Sequence, residues 1–416
     1  MGWPQAFFGA LSFYTLLLPM QPKWLPITLG IMCMGLFWLL HGKFKEKLSA
    51  LGKNWAAGLL FAYYFVVLLG LFYTQNPSKA EQELLSKIPL LAWPIMLSRS
   101  LGLRIEHLKK LILLFIYATT LAVVLAFLQS AVSYLAFPHS TVFYFSNFSF
   151  YKFIPPHYLG LYVNFAYGML LIGWLQFPAW APKKRYTISM LTILTMALLF
   201  ISVRMQFLVF IGINIWAAFQ YLKSKGFKLQ AFLGISTLLV VFGALALSFK
   251  GSRARLVDAY HELKSINQPV DNKQTNPRFY LWPAAAEVIR DHFWLGTGAG
   301  SEKKYLNQKL EDSKALFWDG TKTYLLYEKG YNYHNSFLQH FAAQGVVGFG
   351  VFTALFLVPF YKARNHPLRS WAFLFLVISA LSFLTESMLQ RQAGVLFFSF
   401  FWCLFFVAPF SVSRSN

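Results

Sequence analysis

The chain has 416 residues, of which 57% are hydrophobic and 12% charged, against roughly a quarter charged in an ordinary soluble domain. A soluble fold of this length has too little interior to hide so much apolar surface, and 45 Phe with 13 Trp fit an integral membrane protein. The formal net charge of +22 admits nucleic acid or a membrane surface as partner, and the placement of the charges decides between them.

Apolar runs approaching the roughly 20 residues that a bilayer core demands predict twelve spans. They lie at about 4–20, 24–40, 55–73, 88–98, 111–136, 158–178, 187–203, 206–222, 229–248, 336–360, 370–387 and 393–411. The fourth is short and contains Pro94. The N-terminus lacks the basic region and small-residue cleavage site of a signal peptide, so it reads as the first span, retained. Cys33 and Cys403 sit inside apolar runs, which argues against a disulfide framework.

Basic residues fall on alternate connections. Lys43, Lys45, Lys47 and Lys53 follow span 2; Arg99, Arg104, Lys109 and Lys110 follow span 4. Lys183, Lys184 and Arg185, then Lys223, Lys225 and Lys228, then Lys362, Arg364 and Arg369 continue the pattern, with Arg414 in the tail. The opposite short loops hold only Lys23, Lys79, Lys87, Lys152 and Arg391. Positively charged loops mark the cytoplasmic side, so both termini are expected there. The charge excess reports orientation, and no nucleic-acid partner is expected.

One connection differs. Residues 249–335 hold 13 basic and 10 acidic residues and divide the chain into spans at 1–248, an outer loop at 249–335 and spans at 336–416. Segments 255–265, 277–292 and 301–317 read as amphipathic helices, with Leu256, Ala259 and Leu263 on one face of the first. Gly296, Gly298 and Gly300 break the pattern, while Glu302, Glu311 and Asp312 read as a solvated helix face. The segment is large enough for a lid and too small for an independent domain.

Ionisable groups beside membrane segments are costly and are often functional. Arg204, in Ile-Ser-Val-Arg-Met-Gln-Phe, is either a snorkelling interfacial arginine or an anion ligand at the outer face. Arg278, in Asn-Pro-Arg-Phe-Tyr-Leu-Trp-Pro, opens a helix, where backbone N–H groups also favour anions; its bland alternative is a salt bridge with Glu287 or Asp291. Arg253 and Arg255 stand where span 9 emerges, as secondary phosphate ligands or, more ordinarily, interfacial anchors. His334 opens His-Asn-Ser-Phe-Leu-Gln-His-Phe-Ala-Ala-Gln-Gly-Val-Val-Gly-Phe-Gly at the outer mouth of span 10, whereas the deeper His340 reads as a packing residue. Gly345, Gly348 and Gly350 have the small-residue spacing that permits close helix approach. The run Gly296–Gly300 is no dinucleotide fingerprint, since no strand precedes it and no acidic partner follows. No pattern suggests a metal or a cofactor.

The motif His-Asn-x-x-Leu-x(6)-Gly-x-x-Gly at 334–348 resembles the shared core of the O-antigen ligase and O-antigen polymerase superfamily. Arg278 with Trp282, the run 295–300, and Arg204 at the end of an earlier span also look like that family. Gln344 departs from it, standing where the family often has an acidic residue. The resemblance implies an all-α glycosyltransferase of the GT-C type, inverting and metal-independent, with a large periplasmic loop between spans 9 and 10. Its donor would be a glycan on undecaprenyl pyrophosphate and its acceptor a hydroxyl of lipid A–core. On this reading His334 is the general base, Arg204 and Arg278 hold the pyrophosphate, Asn335 orients His334 or the acceptor, and Arg253, Arg255 and Trp282 bind substrate.

The chemistry suits those residue types. A neutral imidazole can take a hydroxyl proton at physiological pH, and arginine forks match phosphate oxygens and stay charged. A polymerase that extends a lipid-linked glycan, or an enzyme that glycosylates a protein, would use the same donor. A lipid-linked oligosaccharide transporter is the non-enzymatic alternative, but it would more typically show repeated halves and charges at the bilayer midplane.

Overall fold

A computed structural model describes residues 3–21, 27–98, 103–136, 138, 140–148, 154–225, 229–265, 276–318 and 323–410. Lys23, Arg99, Lys152, Lys228 and Arg414, used above for sidedness, lie outside the described residues, as do residues 24–26 of the second expected span and the side chain of Leu263.

Seventeen α-helices occur among the described residues. In the first half they are α1 (Trp3–Leu17), α2 (Thr28–Leu40), α3 (Phe44–Gly52), α4 (Trp55–Leu69), α5 (Pro77–Ser86), α6 (Pro89–Leu97), α7 (Ile105–Ala136), α8 (Pro156–Gln176) and α9 (Lys184–Ile201). Then follow α10 (Arg204–Lys225), α11 (Leu229–Ser248), α12 (Lys250–Ser265), α13 (Arg278–Asp291), α14 (Glu302–Asp312), α15 (Ser336–Lys362), α16 (Arg369–Phe383) and α17 (Gln392–Phe406). Each of the twelve apolar runs contains one helix. Among the described residues, six stretches are long and apolar enough to cross a membrane, at 55–72, 105–136, 156–176, 184–201, 204–222 and 336–365. Helices α1, α2, α16 and α17 are apolar but shorter. The nine-residue α6 rises only about 14 Å, half a bilayer core, so helix length alone does not establish a count of twelve. The molecule is an all-α membrane protein with a helical cap.

Helix α8 is the hub, buried on nearly every side. Its glycines make this possible. A Cβ on Gly160 would meet the side chain of Gln206, one on Gly168 would meet Leu374, and one on Gly173 would meet Trp371 and Trp180. Small residues that let helices touch are the usual packing device in lipid, where burial brings little hydrophobic gain. Aromatic rings fill the rest: Phe165 lies 4.6 Å from Phe401, and Phe115 lies 4.9 Å from Phe401, centroid to centroid, both edge-on. Polar groups add a second tie. Asn164 donates to the carbonyl and side-chain oxygens of Gln206 at 2.8 Å, and Gln206 donates to Ser382 at 3.0 Å, joining α8, α10 and α16.

The helix ends sort into two groups. At one end Trp180 donates to the Lys109 carbonyl, Asn54 to that of Val407, and Trp180 packs on Trp371. These contacts gather the basic connections beside residues 53, 109, 183 and 369. At the other end Ser202 meets Ser252, Thr74 meets Ser301 and His334 meets Glu386, so the polar cap of α12–α14 sits there.

The cap has a small core of its own, with Leu281, Ala285, Val288, Leu306, Leu310 and Tyr333 packed against Ala342 of α15. The expected helix at 301–317 stops at Asp312; Leu316–Trp318 instead pairs antiparallel with Thr323–Leu325 in a small hairpin. Glu311 and Asp312 are exposed as expected, but Glu302 is only 2% exposed. The solvated-face reading is corrected for Glu302, because the chain turns at Gly298 and Gly300 and presses the first turn of α14 against α5 and Gln339.

The Gly-Thr-Gly-Ala-Gly run has a structural task. Helix α15 is broken at Gly345, whose φ is +63° and ψ −164°. The break frees the carbonyls of Ala342 and Ala343, and Thr297 N–H and Gly298 N–H take them at 2.9 and 3.0 Å. Val346 N–H donates in return to the Phe293 carbonyl at 2.9 Å. These backbone groups at the break are thereby satisfied from the cap, as a low-dielectric setting requires. Gly296 and Gly298 have φ of +73° and +86°, and a Cβ on either would meet backbone atoms within 2.7 Å. Only glycine fits there. Gly345 is equally closed by the Trp294 carbonyl, whereas Gly350 has open space around it, so close approach applies to the first glycine of that spacing and not to the last.

Candidate active site

His334 is placed by three local features. Its backbone is left-handed, φ +45°, a conformation costly for most side chains but tolerated by Asn, Asp and His. Its N–H donates to Asn332 Oδ1 at 2.9 Å, and the carbonyl before it, on Tyr333, accepts from Trp282 Nε1 at 3.2 Å. Tyr333 is itself pinned by a hydroxyl bond of 2.8 Å to the Glu302 carbonyl. Asn335 is the N-cap of α15, its Oδ1 accepting from Phe337 and Leu338 N–H at 2.9 and 3.0 Å. Asn335 and Trp282 thus both act on the backbone around His334.

The imidazole meets a residue that sequence reasoning missed. His334 Nδ1 lies 3.1 Å from Glu386 Oε2, and His157 Nε2 lies 3.7 Å from the same oxygen. Glu386 sits in the turn between α16 and α17, locked there because Ser336 Oγ donates to its carbonyl and accepts from Met388 N–H. Burial pushes its carboxyl up, but the hydrogen bond and charge of His334 and the charge of His157 outweigh this and hold it down at about 2. Glu386 is therefore ionised at neutral pH and can only accept. The hydrogen bond between the two groups therefore runs from His334 Nδ1–H to the carboxylate and turns Nε2 away from it. The missed signal was one glutamate in the last long stretch of apolar sequence, a position where a charge needs a partner.

Arginines stand around this pair. Arg278, at the first turn of α13, donates through Nη2 to the Thr385 carbonyl at 2.8 Å, next to Glu386. Burial lowers its pKa from the ordinary value, and the charges of Glu386 and Glu262 oppose that shift. Neither Glu287 nor Asp291 is its partner; both lie against Lys309. Arg204 opens α10 immediately after the left-handed Ser202. It pairs with Glu262 at 2.6 Å and Asp258 at 3.5 Å, both from α12, and Asn276 donates to the same Glu262 oxygen. Arg255 lies 4.3 Å above the Phe145 ring, which in turn meets His157 edge-on. Arg253 is exposed on the same helix and joins none of these contacts. Among the described residues, Nε of Arg204 and Nε of Arg278 are buried donors without a partner. Both guanidinium groups are anchored yet keep donor capacity.

His340 is a packing residue: its Nε2 meets Tyr63 OH, its Nδ1 meets the Ser336 carbonyl, and its ring stacks on Phe352 at 4.0 Å. Gln344 is buried, and its amide atoms have no partner among the described residues. Behind Ser336 lies a second polar cluster. Glu302 Oε1 accepts from Gln339 and Gln390 at 3.0 and 3.1 Å, and Glu83 pairs with Lys87 while accepting from Gly300 N–H at 3.1 Å. Burial first, and then the charge of Glu83, push the Glu302 carboxyl up to about 8, so this buried carboxyl is neutral at pH 7.

One end of the bundle therefore presents an imidazole hydrogen-bonded to a carboxylate, Arg278 anchored beside that carboxylate, Arg204 anchored on α12, and a cap stitched to a broken helix. Among curated proteins, none matches the chain. Residues 188–353, a stretch that carries Arg204, Arg278 and His334, match the family model described as O-antigen ligase, and that segment of the chain is similar to the family.

Proposed function

We propose that the chain is an O-antigen ligase of the GT-C type. It moves a glycan from undecaprenyl pyrophosphate to a sugar hydroxyl of lipid A–core at the periplasmic face of the inner membrane. The observation that carries this is the His334–Glu386 pair at 3.1 Å beside Arg278. His334 Nε2 takes the acceptor proton as the hydroxyl oxygen attacks the anomeric carbon from the side opposite the leaving group. The carbon–oxygen bond to the pyrophosphate breaks, and the electron pair stays on the phosphate oxygen. Arg278 and Arg204 meet that growing charge, and Glu386 stabilises the imidazolium that forms. The lipid tail remains in the bilayer while the glycan projects beneath the cap.

The test is transfer in vitro with purified lipid-linked glycan and lipid A–core, with product mass as readout. His334→Ala should lose about 10²–10⁴-fold in rate, the usual worth of a general base, while still binding donor. Transfer at the wild-type rate in that variant would remove His334 as the base. Longer lipid-linked chains in place of modified lipid A–core would make the enzyme a polymerase. Activity should persist in excess EDTA, and loss there would overturn the metal-independent mechanism.

A further inference from the structure

A cavity of about 760 Å³ opens on the other flank of the 386–390 turn, between α5 and α14. Its walls are polar: Gln82, Lys79, Lys303, Lys304, Asn307 and Gln390, with Tyr327 offering an aromatic face. Glu302 lies in its wall, 2% exposed, and its Oε2 has no hydrogen-bond partner among the described residues; nor does the buried Oδ1 of Asn307. With Glu302 neutral and its Oε1 already accepting twice, its proton lies on Oε2, and leaving that donor and the Asn307 acceptor both unmade is expensive inside a fold unless something else pairs with them. The cavity and the His334 site lie on either side of one buried polar cluster and are linked through its hydrogen bonds. Gln390 donates to Glu302 Oε1, and two residues earlier Met388 N–H is held by Ser336, which also holds Glu386.

We infer that this cavity is the acceptor subsite, and that it takes a short glycan bearing anionic groups. The proposal rests on the transferase reading above for the word acceptor, while the cavity stands on its own lining. Planar amides and carboxyls spaced around a cleft of this size suit sugar hydroxyls, which both donate and accept. The tyrosine ring suits a sugar face. The sign of the ligand follows from the lysines. Glu83 is neutralised by Lys87, which leaves Lys79, Lys303 and Lys304 facing Glu311, with Glu302 neutral. Among the described residues, the ammonium groups of Lys79 and Lys304 meet the neutral side chains of Gln82 and Gln75. A phosphorylated or carboxylated sugar would supply the missing negative charge. The donor's pyrophosphate would sit on the Arg278 flank and the acceptor on the Gln390 flank, with His334 and Glu386 between them.

The probe is a phosphorylated core oligosaccharide, released from lipopolysaccharide by mild acid, titrated calorimetrically into the full chain in detergent. A dephosphorylated form serves as comparison. The exposed pair Lys303→Ala/Lys304→Ala should weaken binding of the phosphorylated form about tenfold, a change of 1.4 kcal/mol. Dephosphorylation should weaken wild-type binding similarly and abolish the difference between the two proteins. Gln390→Ala should weaken both forms, and His334→Ala should bind as the wild type does. Equal affinity of the lysine variant and the wild type for the phosphorylated form overturns the proposal, as does absence of saturable binding to the wild type. Binding as expected in a protein that transfers no glycan would sink the transferase reading and leave the cavity as a site for anionic glycans, without the role of acceptor subsite.

Discussion

Two carboxyls at this end of the molecule are tuned in opposite directions. Glu386 is kept ionised chiefly by its hydrogen bond with His334, so its conversion to an amide tests orientation and charge together. Glu386→Gln should lower kcat about 100-fold with little change in donor KM, since loss of the carboxylate behind a catalytic histidine costs up to about 10⁴-fold in serine proteases. An unchanged kcat would show that His334 does not use the carboxylate. Glu302 is the opposite case, with a folded pKa of about 8 against an ordinary 4.5. Below about pH 4.5 the group is neutral in the folded and unfolded chain alike, and its contribution to stability is fully present. As pH rises towards 8 the unfolded chain ionises while the buried group resists, and that contribution is lost. Glu302→Gln cannot ionise, so it should melt like the wild type near pH 4.5 and at a higher temperature than the wild type at pH 8. Equal melting temperatures at both pH values would show that Glu302 is not held neutral. The span ends put His334, Arg204 and Arg278 at one membrane face, and only the family resemblance gave them a shared role; neither carboxyl's role was legible. Glu302 looked like one acid among several on a polar helix, and Glu386 lies about 50 residues beyond its partner.

The broken helix α15 is the element on which the site depends. The sequence marks Gly345 and the run 296–300 as breaks in two separate patterns. That each break satisfies the other is a tertiary fact, invisible to periodicity. Gly345→Ala would place a methyl against the Trp294 carbonyl at a φ of +63°. It should destabilise the fold by about 3 kcal/mol or more, combining backbone strain with overpacking. A thermal melt in detergent checks this, and Gly350→Ala, with open space around it, is the control that should cost little. The apolar runs located their helices well because mean hydropathy follows the bilayer's own length scale. The hairpin at 316–325 was missed because a three-residue strand leaves no period to read.

For the molecule as a whole, the basic connections and the cap occupy opposite ends of the bundle, and the positive-inside rule turns that into a prediction of sidedness. A single cysteine at Lys184 should react with a membrane-impermeant maleimide only after the cells are opened, and one at Lys303 should react in cells whose outer membrane alone is permeabilised. The reverse pattern would invert the topology and place His334 on the cytoplasmic side. The resemblance to known ligases spans residues 188–353, but the working site does not stop at those limits. The carboxylate that orients His334 comes from residue 386, and the loop that mends the helix break is held in turn by Tyr73 and Thr74, which donate to the Leu295 and Ala299 carbonyls. The stretch that can be recognised and the unit that can operate are thus different objects. Excised or grafted into another scaffold, the recognisable stretch would carry a histidine without its counter-charge and a cap without its mooring. The chemistry is a property of the whole chain, and it does not travel as a module.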